Sequence, residues 1–192
     1  TQKGSLVEED RLRFDFSNNA PVTAAQIEAI EDQVNEVVRQ NNDVGVQVTS
    51  PEKAIEAGAL ALFGEKYGDE VRVLSMGTAL KTSDKPYSVE LCGGTHVKRT
   101  GDISTFVITS ESGVSAGVRR IEAATGAEAV DFLRSRAQIS VDLSEQLKVP
   151  LKDVAKKVAT LTEDRKTLER QLADAKRSLA MAGESGAPSG PE

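Results

Sequence analysis

The sequence has one cysteine, one histidine and no tryptophan, and aromatic residues make up 4% of its 192 positions. The single cysteine, Cys92, excludes an internal disulfide and fits a reducing compartment, so the cytoplasm is the expected location. The single histidine, His96, excludes a metal site that draws two histidines from this chain, and equally a histidine pair for acid–base work. Long apolar runs are missing too. No window approaches the roughly 18 uncharged apolar residues that span a bilayer, and residues 1–10 lack the charged-then-apolar order of a signal peptide, so no membrane partner is expected. Positive charge is in deficit, with 24 Lys and Arg against 30 Asp and Glu. A net charge of −6 excludes a whole-chain basic footprint for nucleic acid but leaves room for a local one.

What is present divides near residue 125. Residues 1–125 carry 13 basic and 19 acidic side chains with most of the glycine and aromatics, whereas residues 126–182 carry 11 basic and 9 acidic and are rich in Ala, Leu, Lys and Glu. The composition predicts a domain over 1–125, a helical connector over 126–182 and a Gly/Ser/Pro linker over 183–192.

In the first part strand and helix signals alternate. RLRFDF at 11–16 places Leu12, Phe14 and Phe16 on one face of a half-buried strand. Thr23 and Gln26 form a capping box that opens a helix striped by Ile27, Ile30, Val34, Val37 and Val38, and Asn41-Asn42 ends it. Val44, Val46 and Val48 alternate as a second strand, and Ser50-Pro51 caps a short helix that Gly58 stops. Residues 71–76, 88–92, 103–110 and 117–123 read as further strands, with 77–86 as a hairpin or surface loop. The predicted class is α+β, a mostly antiparallel sheet with packed helices. Beyond it, helical patterns over 127–149 and 151–181 are separated by Pro150. In the second, Leu151, Val154, Val158, Leu161, Leu168, Leu172 and Leu179 hold heptad a and d positions, which predicts a helical hairpin or coiled coil. One helix cannot bury that seam, so it is expected to pack on the 127–149 helix, on another chain or on another domain, with Arg165 reaching solvent through its aliphatic stem.

The strongest chemical signal is ELCGGTH at 90–96. A thiolate and an imidazole four residues apart across two glycines can converge on a soft metal, with Glu90 or Asp102 as further ligands from this chain. The same pair suits thiol catalysis with His96 as base, and it also suits a buried cysteine beside a solvent-facing histidine with no shared role. Residues 112–120, ending in Arg119-Arg120, read either as a cradle for a phosphate or carboxylate or as a hairpin turn with a solvated basic pair. Residues 58–66 fail as a phosphate loop because Glu65 stands where the motif needs glycine.

Five blocks, TQKGSLV at 1–7, LRFDFS at 12–17, ALFGEKY at 61–67, ELCGGTH at 90–96 and GVRRIEA at 117–123, closely resemble the editing domain of alanyl-tRNA synthetases. The resemblance covers residues 1–147 well and extends as a helical connector to about 182. It implies post-transfer editing, the hydrolysis of Ser-tRNA(Ala) and Gly-tRNA(Ala), within a parent enzyme that attaches alanine to tRNA. It also implies a Zn2+ site built from an HxxxH helix and a CxxxH motif. Here only the second is found, as Cys92 and His96, and the first is expected just upstream of Thr1. Gln2 and Arg119 match positions lining the editing pocket, and Gln2 or Thr95 would pair with the serine hydroxyl. ATP would serve only an aminoacylation domain absent from these 192 residues, so the isolated segment is expected to be weakly active or inactive. Asn18 stands where many relatives carry histidine. Two other readings are a non-catalytic tRNA-docking and connector module, and a segment of a free-standing alanyl-tRNA editing hydrolase.

Overall fold

A computed structural model of the chain describes residues 1–60, 68–80 and 85–184, with side chains to residue 181. The block at 61–67, most of the 58–66 loop and all but the first two residues of the 183–192 linker lie outside the described residues. The chain divides into two compact units, Thr1–Arg134 and Ser135–Glu192.

The first unit holds two antiparallel sheets. One has the order β1-β2-β7-β6, from β1 (Gln2–Val7), β2 (Leu12–Ser17), β6 (Phe106–Ser115) and β7 (Val118–Thr125); the other has the order β3-β4-β5, from β3 (Gly45–Thr49), β4 (Val71–Thr78) and β5 (Pro86–Leu91). The α+β class is as expected. Helix α1 (Ala24–Arg39) begins at the anticipated capping box: Thr23 N–H donates to Gln26 Oε1 and Gln26 N–H donates to Thr23 Oγ1. It ends at Asn41, whose φ of 51° is the left-handed turn that asparagine tolerates. Helix α2 (Pro51–Glu56) is capped by Ser50 as predicted.

Helix α1 is bonded to both sheets through its polar side chains. The Asn35 carboxamide pairs with both backbone groups of Phe106 at the edge of the first sheet, and Ile108 N–H donates to Glu31 Oε1. Gln40 does the same for Thr78 on β4, accepting from its N–H at 2.6 Å and donating to its carbonyl at 2.8 Å. Close approach at this point requires Gly77, since a Cβ there would run into Val37 Cγ1. Small residues make the cores: Ala54, Ala59, Val71 and Leu91 under the second sheet, and Val107, Ala124 and Ala129 with Phe132 under the first. Each buried Val or Leu contributes about 1.5–3 kcal/mol.

Three expectations are corrected. β1 was not anticipated, because QKGS lacks β-branched or alternating apolar residues; pairing with β2 supplies what propensity does not. The strand expected from Ile103 starts at Phe106, since residues 100–103 form a 3-10 turn in which Asp102 accepts the Arg99 N–H and Ser104 takes a φ of 62°. β4 and β5 stay paired as far as Thr78 and Pro86, so each runs two residues further than expected, and residues 81–84 of the expected hairpin or surface loop lie outside the described residues.

Helix α3 (Gly126–Leu147) stops at Lys148, which adopts a φ of 52° while its N–H donates to the Glu145 carbonyl and Val149 N–H donates to that of Ser144. After Pro150 and a 3-10 turn over Leu151–Asp153 comes α4 (Val154–Glu184), the last helix of the described residues. The helix-break-helix pattern is as expected, but the seam is not buried: Val158, Leu161, Leu168, Leu172 and Leu179 remain 44–76% exposed, so the expected packing on the 127–149 helix is not made. Local pairs support α4 instead, among them Arg165–Glu169, Lys166–Glu163 and Arg177–Asp174, with Arg165 reaching solvent as anticipated. No helix of the described residues is long and apolar enough to cross a membrane.

Candidate active and metal site

The loop that follows β5 carries Cys92, Thr95 and His96, and it is tied down at both ends. At its start Cys92 N–H donates to the Arg72 carbonyl on β4. At its far end Lys98 accepts from Val44 N–H, Arg99 pairs with Asp43 at 2.8 Å, and the fully buried Thr100 exchanges hydrogen bonds with the Asn42 backbone. Between these anchors the Arg72 guanidinium donates through Nη1 to the Gly94 carbonyl at 3.0 Å and the Gly93 carbonyl at 3.4 Å.

The two soft-metal donors both lie close to Gly94. A methyl group built on Gly94 would lie 3.7 Å from Cys92 Sγ and 3.9 Å from His96 Nε2. Cys92 is half-buried, and His96 Nε2 is a buried nitrogen with no hydrogen-bond partner. A lone pair withdrawn from water and left unpaired is costly unless something binds it, so the pair fits half of a tetrahedral zinc shell. It does not complete one: among the described residues no three His, Cys, Asp or Glu side chains come together. Glu90 is occupied by the Ser88 hydroxyl and Asp102 by the Arg99 N–H, so the ligand roles weighed for them are not supported. Thr95 is exposed on the same loop.

Gln2 and Arg119 meet elsewhere. Across three strands Gln2 pairs with Phe16 and Phe16 with Arg119, forming one rung of the first sheet. Gln2 Nε2 donates to Ser5 Oγ at 3.1 Å. Arg119 is held by Glu111 through two bonds of 2.6 and 2.5 Å, which raise its pKa and hold the Glu111 carboxyl below the usual range against the opposing effect of burial. Beside this rung a cleft of about 480 Å3 opens between the end of β2 and α1, lined by Phe16, Asn18, Gln26 and Gln33 among others. Among the described residues no hydrogen bond joins the Gln2–Phe16–Arg119 rung to the Cys92–His96 loop.

The cradle reading of residues 112–120 is overturned. Arg119 is committed to Glu111, and Arg120 makes a two-bond pair with Asp15 at 2.7 and 2.9 Å, leaving a hairpin that turns at Gly117. The Arg120 hydrogen bond is the main cause that lowers the Asp15 pKa; burial opposes it, and the charges of Arg120 and Arg13 reinforce it. Asn18 donates to the Ala20 carbonyl and fixes the exit from β2. Sequence reasoning missed Arg72 and the space over Gly94: an arginine two residues into a strand signals only a solvated edge.

Residues 71–122, which run from Arg72's strand through the Cys92–His96 loop to β7, match the family model described as the threonyl and alanyl tRNA synthetase second additional domain. Along its whole length the chain is 69% identical to an alanine–tRNA ligase of Hyphomonas neptunium, 57% to that of Caulobacter sp. strain K31 and 56% to that of Caulobacter vibrioides. The chain is similar along its whole length to a segment of alanyl-tRNA synthetases. It spans 22% of the length of each of these curated relatives. The match continues through α3 and α4, which favours the synthetase over a free-standing editing hydrolase.

Proposed function

We propose that this chain carries part of the editing site of an alanine–tRNA ligase, which hydrolyses tRNA(Ala) mischarged with serine or glycine. The observation that supports this reading is that Cys92 Sγ and the unpartnered His96 Nε2 both lie close to Gly94, inside the segment that matches the synthetase domain.

An aminoacyl ester is already activated, so the work left is to place the water, stabilise the developing oxyanion and tell serine from alanine. Cys92 and His96 would hold Zn2+ together with ligands from an HxxxH motif outside these residues, and the ion, when bound, would supply polarisation of a carbonyl or a lowered pKa of water. Either the Thr95 hydroxyl, on the loop between those ligands, or the Gln2 carboxamide is the polar partner for the serine side chain; alanine leaves it unpaired and is rejected. Arg119, fixed by Glu111, holds the rung that carries Gln2. Attachment of alanine with ATP belongs to other domains of the ligase, which are this chain's partners along with tRNA(Ala) in the cytoplasm. The uncovered α4 seam serves self-association or a neighbouring domain.

Deacylation of Ser-tRNA(Ala) by the full ligase, with zinc content measured alongside, tests this. Cys92→Ala should lower both together. Normal tRNA binding with no deacylation in the unmutated protein would instead establish the docking and connector module.

A further inference from the structure

The loop between Cys92 and His96 makes no other side-chain hydrogen bond among the described residues than the one from Arg72, whose Nη1 donates to the carbonyls of Gly93 at 3.4 Å and Gly94 at 3.0 Å. Two glycines in succession give that loop many backbone conformations of similar energy. Only some of them bring Sγ and Nε2 to the same point. The Arg72 backbone contributes as well, through its carbonyl on Cys92 N–H, so one residue of β4 grips both the first residue of the loop and its middle. The Arg72 side chain is exposed, and it is not among the residues of the core cluster that Val71 joins under this sheet.

We propose that Arg72 is the positioning residue of the Cys92–His96 site: it selects the loop conformation in which thiolate and imidazole converge, and so sets the affinity for the metal. The inference rests on the metal reading above. Residues outside the ligand shell that fix its geometry typically change metal affinity by about 10- to 100-fold. An ammonium group can donate to two carbonyls, so Arg72→Lys should retain part of the effect, whereas Arg72→Leu removes it.

The test has two arms, both in the full ligase. In the first, Co2+ is titrated into the zinc-free protein and followed by the thiolate-to-cobalt absorption. Arg72→Leu should weaken binding by about tenfold or more, and Arg72→Lys should recover part of the loss, with the unfolding temperature unchanged. Equal affinity in all three proteins overturns the proposal. In the second, the alkylation rate of Cys92 is measured by peptide mapping without metal. It should rise severalfold in Arg72→Leu and return toward the original in Arg72→Lys. If the unmutated protein gives no cobalt–thiolate band, the metal reading fails; the alkylation arm then decides alone whether Arg72 positions the loop, and an unchanged rate overturns it.

Discussion

Asn35 of α1 closes both hydrogen-bonding groups of Phe106, accepting from its N–H at 2.9 Å and donating to its carbonyl at 2.9 Å. Phe106 begins β6, an edge strand, and an unpaired edge is a site for wrong pairing as well as an energetic cost. The helix therefore finishes the sheet with a side chain. Replacing Asn35 by Ala should cost about 2 kcal/mol, because it leaves a part-buried N–H and C=O without partners. Asn35→Asp keeps the acceptor and should cost less. Urea unfolding followed by circular dichroism measures both, and a loss under about 0.5 kcal/mol for the alanine variant would show that water replaces the amide at no cost.

The first sheet carries a pH dependence of predictable sign. Hydrogen bonds from Arg120 and Arg119 hold the carboxyls of Asp15 and Glu111 below their ordinary range. The native state thus binds fewer protons than the unfolded chain when carboxylates titrate, so stability rises with pH there. The contribution is complete above about pH 5 and is lost as pH falls through the lowered values. Asp15→Asn should lower the unfolding temperature at neutral pH by about 5 °C and flatten its decline below about pH 4. An undiminished acid slope in that variant would locate the dependence in other carboxylates.

Helix α4 tests what an apolar repeat means when nothing covers it. Leu168 and Leu172 are 63% and 56% exposed, so replacing both by Gln removes little buried surface. The unfolding free energy should stay within about 0.5 kcal/mol of the original. Sedimentation at increasing concentration gives the second reading: self-association through the seam should disappear in the double variant. A large loss of stability at concentrations where the protein is monomeric would mean that the seam is packed within one chain after all.

Local signals were legible in the sequence, and distant partners were not. The Thr23–Gln26 box and the Ser50-Pro51 cap each depend on neighbours within a few residues and formed as expected; the strand of Leu12, Phe14 and Phe16 formed too, but Phe14 is exposed and the buried residue is Asp15 on the other face. Arg120 looked like half of an exposed basic pair, because its partner Asp15 lies 105 residues away and is brought alongside only by the β2–β7 register. β1 was invisible for the same reason: its stability comes from its partner strand. At the site, spacing identified Cys92 and His96 as a pair, yet it left metal, thiol chemistry and coincidence all open, with coincidence the weightiest. What narrows them is the shared space over Gly94 and the orphaned His96 nitrogen, both products of a loop geometry that Arg72 and Thr100 impose from other strands and turns.

That space yields the sharpest prediction. An alanine at residue 94 would place its methyl in ordinary van der Waals contact with Cys92 Sγ and His96 Nε2, at 3.7 and 3.9 Å, so the fold has no reason to move. The methyl nevertheless fills space that both donors border. Gly94→Ala should therefore leave the unfolding temperature unchanged while lowering zinc affinity by roughly 10- to 100-fold, and Ser-tRNA(Ala) deacylation should fall with it. Competition against a chelator of known affinity reads the first effect and a deacylation time course the second. Zinc bound as tightly as before would mean that the ion, if it uses these two residues at all, sits on their other side, and the closeness of both donors to Gly94 would lose its functional meaning.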